Sequence, residues 1–399
     1  MTPADISFVI VCTALVFIMT PGLAFFYGGL LRKKNMINMM AMCFVSIAII
    51  SVIWFFISYS LAFAPDAGGG FIGGIDFAGL VGVGTDSYDT YSSEIPHMLF
   101  MVFQLMFAII TVAIIASPFA ERVNFGSFCI FISIWLILVY SPIAHWVWGD
   151  GGWLNTMNAL DFAGGTVVHI NVGFAALAIA LIIGPRKGYR KEPMEASNIP
   201  YVLLGMGLLW LGWFGFNGGS ALAANEIAVL AMFNTHLSAS GAAIVWMLIE
   251  YFKTSRYSTV GLASGALAGL VAITPAAGFV EPWAALVIGA TSSVVCFIVL
   301  SIRTNSKVDE SLDAISIHGT GGIWGAILTG VFATVGSSGA LMGNPGQIWI
   351  QVVGVLVTIG YSFTVTLAIA WLINKTIGFR VPPDVEYVGL DVSQHGEKV

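Results

Sequence analysis

Eleven stretches of about twenty apolar residues, each long enough to cross a hydrocarbon layer of about 30 Å as a helix, constrain everything else this chain can become. They run near Ser7 to Leu30, Ile37 to Ala64, His97 to Ser117, Gly126 to Val147, Val167 to Ile183, Ile199 to Phe216, Ile227 to Phe252, Val260 to Pro275, Trp283 to Ile302, Ala314 to Val335 and Gln347 to Ile373. Inside lipid each backbone N–H and C=O needs a partner within its own segment, so runs of this kind fold as helices. A soluble globular chain carries about 25% charged residues. This one carries 9% against 58% hydrophobic, which excludes a water-soluble fold. The expectation is an all-α polytopic membrane protein of one domain, because the polar connections are too short to fold separately.

The fifteen Lys and Arg residues test the span count. Arg32, Lys33, Lys34, Arg122, Arg186, Lys187, Arg190, Lys191, Lys253, Arg256, Arg303 and Lys307 all follow odd-numbered spans. Lys375, Arg380 and Lys398 lie beyond the eleventh. A miscounted span would scatter them over both faces. By the positive-inside rule the N-terminus is outside and the tail cytoplasmic, in a cell (cytoplasmic or inner) membrane. The opposite face holds only acids: Asp5, Asp66, Asp76, Asp86, Asp89, Glu94, Asp150, Asp161, Glu226 and Glu281. Such a face attracts cations, although external loops also need acids merely for solubility. No basic stripe exists for nucleic acid, and the net charge is −6. Cys12, Cys43, Cys129 and Cys296 lie in apolar runs without metal-ligand spacing, so they read as small core side chains, and no cofactor is expected.

If spans one to five and six to ten are related, five being odd forces the halves to insert with opposite orientations. The histidines fit that scheme. His169 lies in the fifth span and His318 in the tenth, and an acid precedes each by eight residues, Asp161 and Glu310. Glycines flank both, which lets helices approach closely. The spacing predicts that two pseudo-equivalent helices bring these imidazoles together near the midplane. One intramembrane histidine more often ties two helices together; a duplicated one argues for a pathway. His97 and His145 lie at span ends and His395 in the tail, where structural roles dominate, and His236 has no repeat partner.

At this point the sequence resembles the ammonium transporter (Amt/Mep/Rh) family, most closely its prokaryotic Amt branch. The segment D-F-A-G-G-T-V-V-H-I-N, Asp161 to Asn171, looks like the family signature. It is joined in family order by P-G-L-A-F-F-Y-G-G-L from Pro21, F-Q-L-M-F from Phe103, G-W-F-G-F-N-G-G-S from Gly212, T-P-A-A-G from Thr274, H-G-T-G-G-I-W-G from His318 and G-L-D-V-S-Q-H-G-E from Gly389. The resemblance implies eleven transmembrane helices in a five-plus-five inverted repeat plus a last helix, one pore per subunit, and a homotrimer. Repeat one would cover about 7–183, repeat two about 199–335 and the last helix about 347–373, within a membrane domain of 1–375.

Residue by residue, the resemblance puts ammonium recruitment at Phe103, Phe107, Trp148 and Ser220. Phe107 and Phe216 would form a stacked gate beneath it, and His169 and His318 the twin-histidine element of the pore. Trp213, Tyr27 and Thr274 match positions near that pore. Asp161 and Glu310 would be supporting acids, although Glu310 stands where the family commonly has Asp. The stretch from Trp148 to Asp161 is one residue longer than the family pattern. The substrate implied is ammonium or ammonia, with methylammonium as analogue. Both a transporter and a sensor of the same fold with little flux satisfy these motifs.

By composition residues 376–399 are a short polar tail, too short to fold alone. The resemblance instead implies a cytoplasmic regulatory tail that packs under the trimer, where a PII-type signal protein docks. Arg186, Lys187, Arg190 and Lys191 are then expected to hold Asp384, Glu386 and Asp391. A potassium channel would need a filter such as TVGYG, which is absent, and no nucleophile stands beside a base, so an enzyme is not expected.

Overall fold

The computed structural model describes residues 1–399. Ten helices are long and apolar enough to cross a membrane, and one shorter apolar helix joins them. They are α1 (Pro3–Leu30), α2 (Lys33–Phe63), α3 (His97–Phe119), α4 (125–148), α5 (Gly165–Ile183), α6 (Ile199–Ala221), α7 (Glu226–Thr254), α8 (Thr259–Ile273), α9 (Pro282–Thr304), α10 (Ile315–Phe332) and α11 (Gly346–Thr376). Their starts are written in the sequence. The side chains of Thr2, Asn124, Asn198, Asn225 and Ser258 accept N–H groups from the first turns of α1, α4, α6, α7 and α8. Each cap satisfies donors that the helix itself leaves unpaired.

The eighth helix is shorter than expected. Its 15 residues rise about 22 Å at 1.5 Å each, less than the hydrocarbon thickness. Thr274 to Gly278 follow it as turns, because the Pro275 ring cannot continue the ladder. That ring instead seats on the start of α5, where a Cβ at Gly165 would lie 2.6 Å from it.

Large apolar side chains point outward all round the bundle, among them Phe17, Phe56, Ile298, Leu356 and Trp371. Inside, α1 and α6 meet backbone to backbone: a Cβ at Gly205 would overlap the Phe26 amide nitrogen. Without a hydrophobic difference between lipid and helix, such close van der Waals packing holds the bundle. On the acidic face, residues 65–96 fold over the helix ends and include a small hairpin of Ser87–Tyr88 with Ser92–Pro96.

The basic face is tied by buried ion pairs. Glu121 accepts from Arg32 at 2.7 Å and Arg186 at 3.1 Å, and Asp309 from Arg122 at 2.7 Å and Arg186 at 2.9 Å. The loops after α1, α3, α5 and α9 thus share one network.

The tail is ordered against this face. A short helix, α12 (Pro383–Val388), is followed by a turn in which Asp391 accepts the N–H groups of Ile37 at 3.1 Å and Asn38 at 2.8 Å, capping α2. Gln394 spans the start of α4, accepting from Phe125 N–H at 2.7 Å and donating to the Val123 carbonyl at 3.0 Å. The expected partners of the tail acids need correcting. Only Lys187 touches one, and it does so through its backbone N–H, 2.6 Å from Glu386. Arg380 holds Glu386 at 2.9 Å, Arg186 is consumed by Asp309 and Glu121, Arg190 reaches the Ser306 carbonyl at 3.3 Å, and Asp384 is exposed. Buried acids within the loops satisfy Arg186 first.

Candidate functional site

α5 and α10 each begin with a π turn, Gly165–Ile170 and Ile315–Gly319, and each turn carries a histidine. A carboxylate organises each start. Asp161 accepts the N–H groups of Gly164 at 2.8 Å, Gly165 at 2.6 Å and Thr166 at 2.8 Å, and the Thr166 hydroxyl. Glu310 accepts those of Leu312 at 3.0 Å and Ile315 at 3.2 Å, and the Ser117 hydroxyl. Negative charge at a helix N-terminus offsets the dipole and occupies its orphan donors. Both acids therefore act on the histidine turns through backbone amides.

The two helices cross where both are glycine, since a Cβ at Gly173 would overlap the Gly319 Cα. That approach sets His169 Nδ1 3.2 Å from His318 Nδ1, with both rings buried. One hydrogen must lie between the two nitrogens. If both rings are neutral, the ring donating from Nδ1 has a bare Nε2, and the ring accepting carries its hydrogen on Nε2. Both Nε2 atoms are buried without a partner. Each such orphan costs about 1–3 kcal/mol, so the pair presents one donor and one acceptor at a structural cost.

Above the pair the wall is aromatic. His169 lies parallel to Trp213 at 5.5 Å and to Phe216 at 6.2 Å, and Phe216 stacks on Phe107 at 4.1 Å and 28°. Phe107 and Phe216 are each 1% exposed, so the stack is closed. Beneath it a narrow passage lined by Ile110, Val168, Leu209, Trp213 and both histidines encloses about 10 Å³, room for about one water. Outside the stack a cavity of about 250 Å³ is bounded by Phe107, Trp148, Ser220, Gln104, Tyr91 and Phe279. Trp148 donates its indole N–H to the Asp161 carbonyl at 2.9 Å, which orients its ring. Ser220 donates to the Phe216 carbonyl at 2.8 Å, so its oxygen keeps lone pairs for a cation.

Three of the expected residues line neither cavity. Phe103 is 0% exposed and lies edge-on behind Phe107 at 5.0 Å, so it buttresses the wall of the larger cavity without lining it. Thr274 is buried and accepts the Trp213 N–H at 2.9 Å, holding that ring from outside the passage. Tyr27, near the C-terminal end of α1, is fully buried with an unpartnered hydroxyl and does not line the space at the histidines. One residue was missed: Gln104, whose buried Oε1 has no partner and which lines the outer cavity. Its signal was available, since it is the only carboxamide within α3.

The bundle, with two facing histidines beside a small cavity in its core, defines a multi-pass all-helical membrane protein. Residues 7–399 match the sequence profile of the Ammonium Transporter Family. The chain is 47% identical over 400 residues to the ammonium transporter Amt1 of Archaeoglobus fulgidus, covering 100% of this chain and 99% of that protein. The crystal structure of Saccharomyces cerevisiae Mep2 superposes with a TM-score of 0.91 at 36% identity, over 96% of this chain and 88% of that one. A structure described as a sensor Amt protein does so with 0.90 at 29% identity, over 98% of both. The chain belongs to the ammonium transporter family, which is a family of transporters and not of enzymes.

Proposed function

We propose that this protein recruits ammonium at the outer aromatic cavity, strips a proton from it, and conducts ammonia past His169 and His318. The observation that carries this reading is the placement of two otherwise unsatisfied Nε2 atoms in a narrow apolar passage directly beneath a closed phenylalanine stack. A cation over the Trp148 and Phe107 rings gains about 0.5–2 kcal/mol, and the Ser220 oxygen replaces part of its water. Carrying the bare charge inward costs on the order of tens of kcal/mol. Losing a proton at pH 7 costs only roughly 5 kcal/mol, taking the lysine amine as reference. Potassium has no proton to give up, and selectivity follows. The released proton passes through the histidine pair, making transport electrogenic.

The functional unit in this reading is a homotrimer in the cytoplasmic membrane, N-terminus outside and residues 376–399 inside as the regulatory tail. His236 supports assembly. It is exposed partway along α7, and its ring has no hydrogen-bond partner in its own chain, a poor surface to leave facing lipid. The tail packs against this face, with Lys34 and Lys187 at 5.4 and 5.1 Å from the Tyr387 ring, and in this reading it is where a PII-type protein docks.

Current recording on supported proteoliposomes tests the central reading. Ammonium pulses should give transient currents and potassium pulses none. A protein that binds ammonium but passes neither current nor ammonia would be a sensor of the same fold.

A further inference from the structure

The histidine three residues before Trp148 takes no part in the pathway described above. His145 is 0% exposed in the last turn of α4, and both its ring nitrogens face oxygens. Nδ1 lies 3.0 Å from the Ala62 carbonyl and Nε2 3.3 Å from Asp66 Oδ1. A carbonyl only accepts, so the hydrogen of a neutral ring belongs on Nδ1. Nε2 would then press a lone pair against a carboxylate. The contact is attractive only when a second hydrogen lies between Nε2 and Oδ1. The helix end favours that state, because its unpaired carbonyls attract a cation.

The pair also stands at a joint. Asp66 Oδ1 accepts the N–H groups of Gly70 at 2.7 Å and Gly68 at 3.3 Å, and the Gly70 carbonyl accepts from Trp153 N–H at 3.2 Å. The turn that leaves Trp148 wraps the pair so tightly that only glycine fits. A Cβ at Gly149 would overlap His145 Nδ1, and one at Gly151 would lie 2.8 Å from the Asp66 Cβ. Other ionisable groups nearby are engaged elsewhere: Tyr59 binds His97 Nε2 at 2.6 Å, Tyr91 donates to the Phe63 carbonyl at 2.7 Å, and the side chain of Asp150 points to solvent.

We propose that His145 is a positioning residue for Trp148: donating from both ring nitrogens, to the Ala62 carbonyl and to Asp66, it pins the 65–71 loop to the turn after Trp148. The outer cavity is preorganised by that tie. This rests on the reading of Trp148 as part of the ammonium-binding wall.

Two measurements on the full-length protein decide it. Imidazole ¹⁵N spectra of histidine-labelled protein in lipid nanodiscs, with the His145 signal assigned by its loss in His145→Gln, should show hydrogen on both ring nitrogens at neutral pH. A neutral ring with one bare nitrogen overturns the proposal. Methylammonium saturation should show KM raised about threefold or more in Asp66→Ala with little change in maximal rate. An Asp66→Ala KM identical to wild type also overturns it. Absence of any wild-type flux would sink the transport reading instead, and the spectra would still report on the pair.

Discussion

His169 and His318 touch through Nδ1 atoms 3.2 Å apart although 149 residues separate them along the chain. The contact depends on helices that cross at glycine and on helix starts organised by Asp161 and Glu310. It leaves both Nε2 atoms without a partner, and in the proposed function these are the polar groups that ammonia meets. Replacing both histidines by alanine should abolish ammonium-evoked current or admit potassium. Unchanged current and ion preference in the double variant would contradict the pathway.

Gly173→Val should destabilise the protein by about 1–3 kcal/mol, because the added side chain must displace the α10 backbone. Thermal unfolding in detergent should show the loss, and flux should fall with it as the histidines part. Gly207→Ala, at a position with open space around the missing Cβ, is the control and should change little.

Trp148→Leu should weaken recruitment while leaving the conduit open. Losing about 0.5–2 kcal/mol of cation–ring attraction raises the half-saturating ammonium concentration roughly two- to thirty-fold. Steady-state uptake over a concentration series would show this as a KM effect, and a pure loss of maximal rate would assign the ring to the conduit instead.

Asp309→Asn should cost about 3–5 kcal/mol, since it strands Arg122 as a buried charge and leaves Arg186 with Glu121 alone. The wild-type network should also fail in acid. Burial alone would raise the Asp309 carboxyl, but the hydrogen bond from Arg186 and the charges of Arg122 and Arg186 hold it below its usual value. Burial likewise opposes ionisation of Glu121, and Arg32 with Arg186 holds it below. Groups depressed in the folded state stabilise fully above the ordinary carboxyl range and lose that contribution as pH falls through their lowered values. Unfolding midpoints followed from neutral pH downward should drop there in the wild type, and with a shallower slope in Asp309→Asn.

Deleting Gly389 to Val399 removes the Asp391 cap from α2 and the Gln394 tie to α4. If the tail is the proposed docking site of a PII-type protein, transport should then no longer be shut off by it. A deletion protein that is still silenced under nitrogen excess, with an unchanged rate otherwise, would rule out a regulatory tail.

Much of this architecture could be read along the chain. Apolar runs of membrane length count the helices, since lipid offers no partner for an unpaired peptide group. The histidines and their acids were visible as a pattern, because two helices of one kind place like residues at like offsets. What could not be read was which side of a helix meets the passage. α3 is apolar at nearly every position, so Phe103 and Phe107, one turn apart on the same face, look alike; only neighbouring helices put Phe107 in the wall and Phe103 behind it. Charge partners were hidden for a related reason. Arg186 reaches Asp309, and His145 reaches Asp66, across distances in sequence that pairing rules do not span. Hydropathy separates lipid from protein, while the choice among buried neighbours belongs to three-dimensional packing.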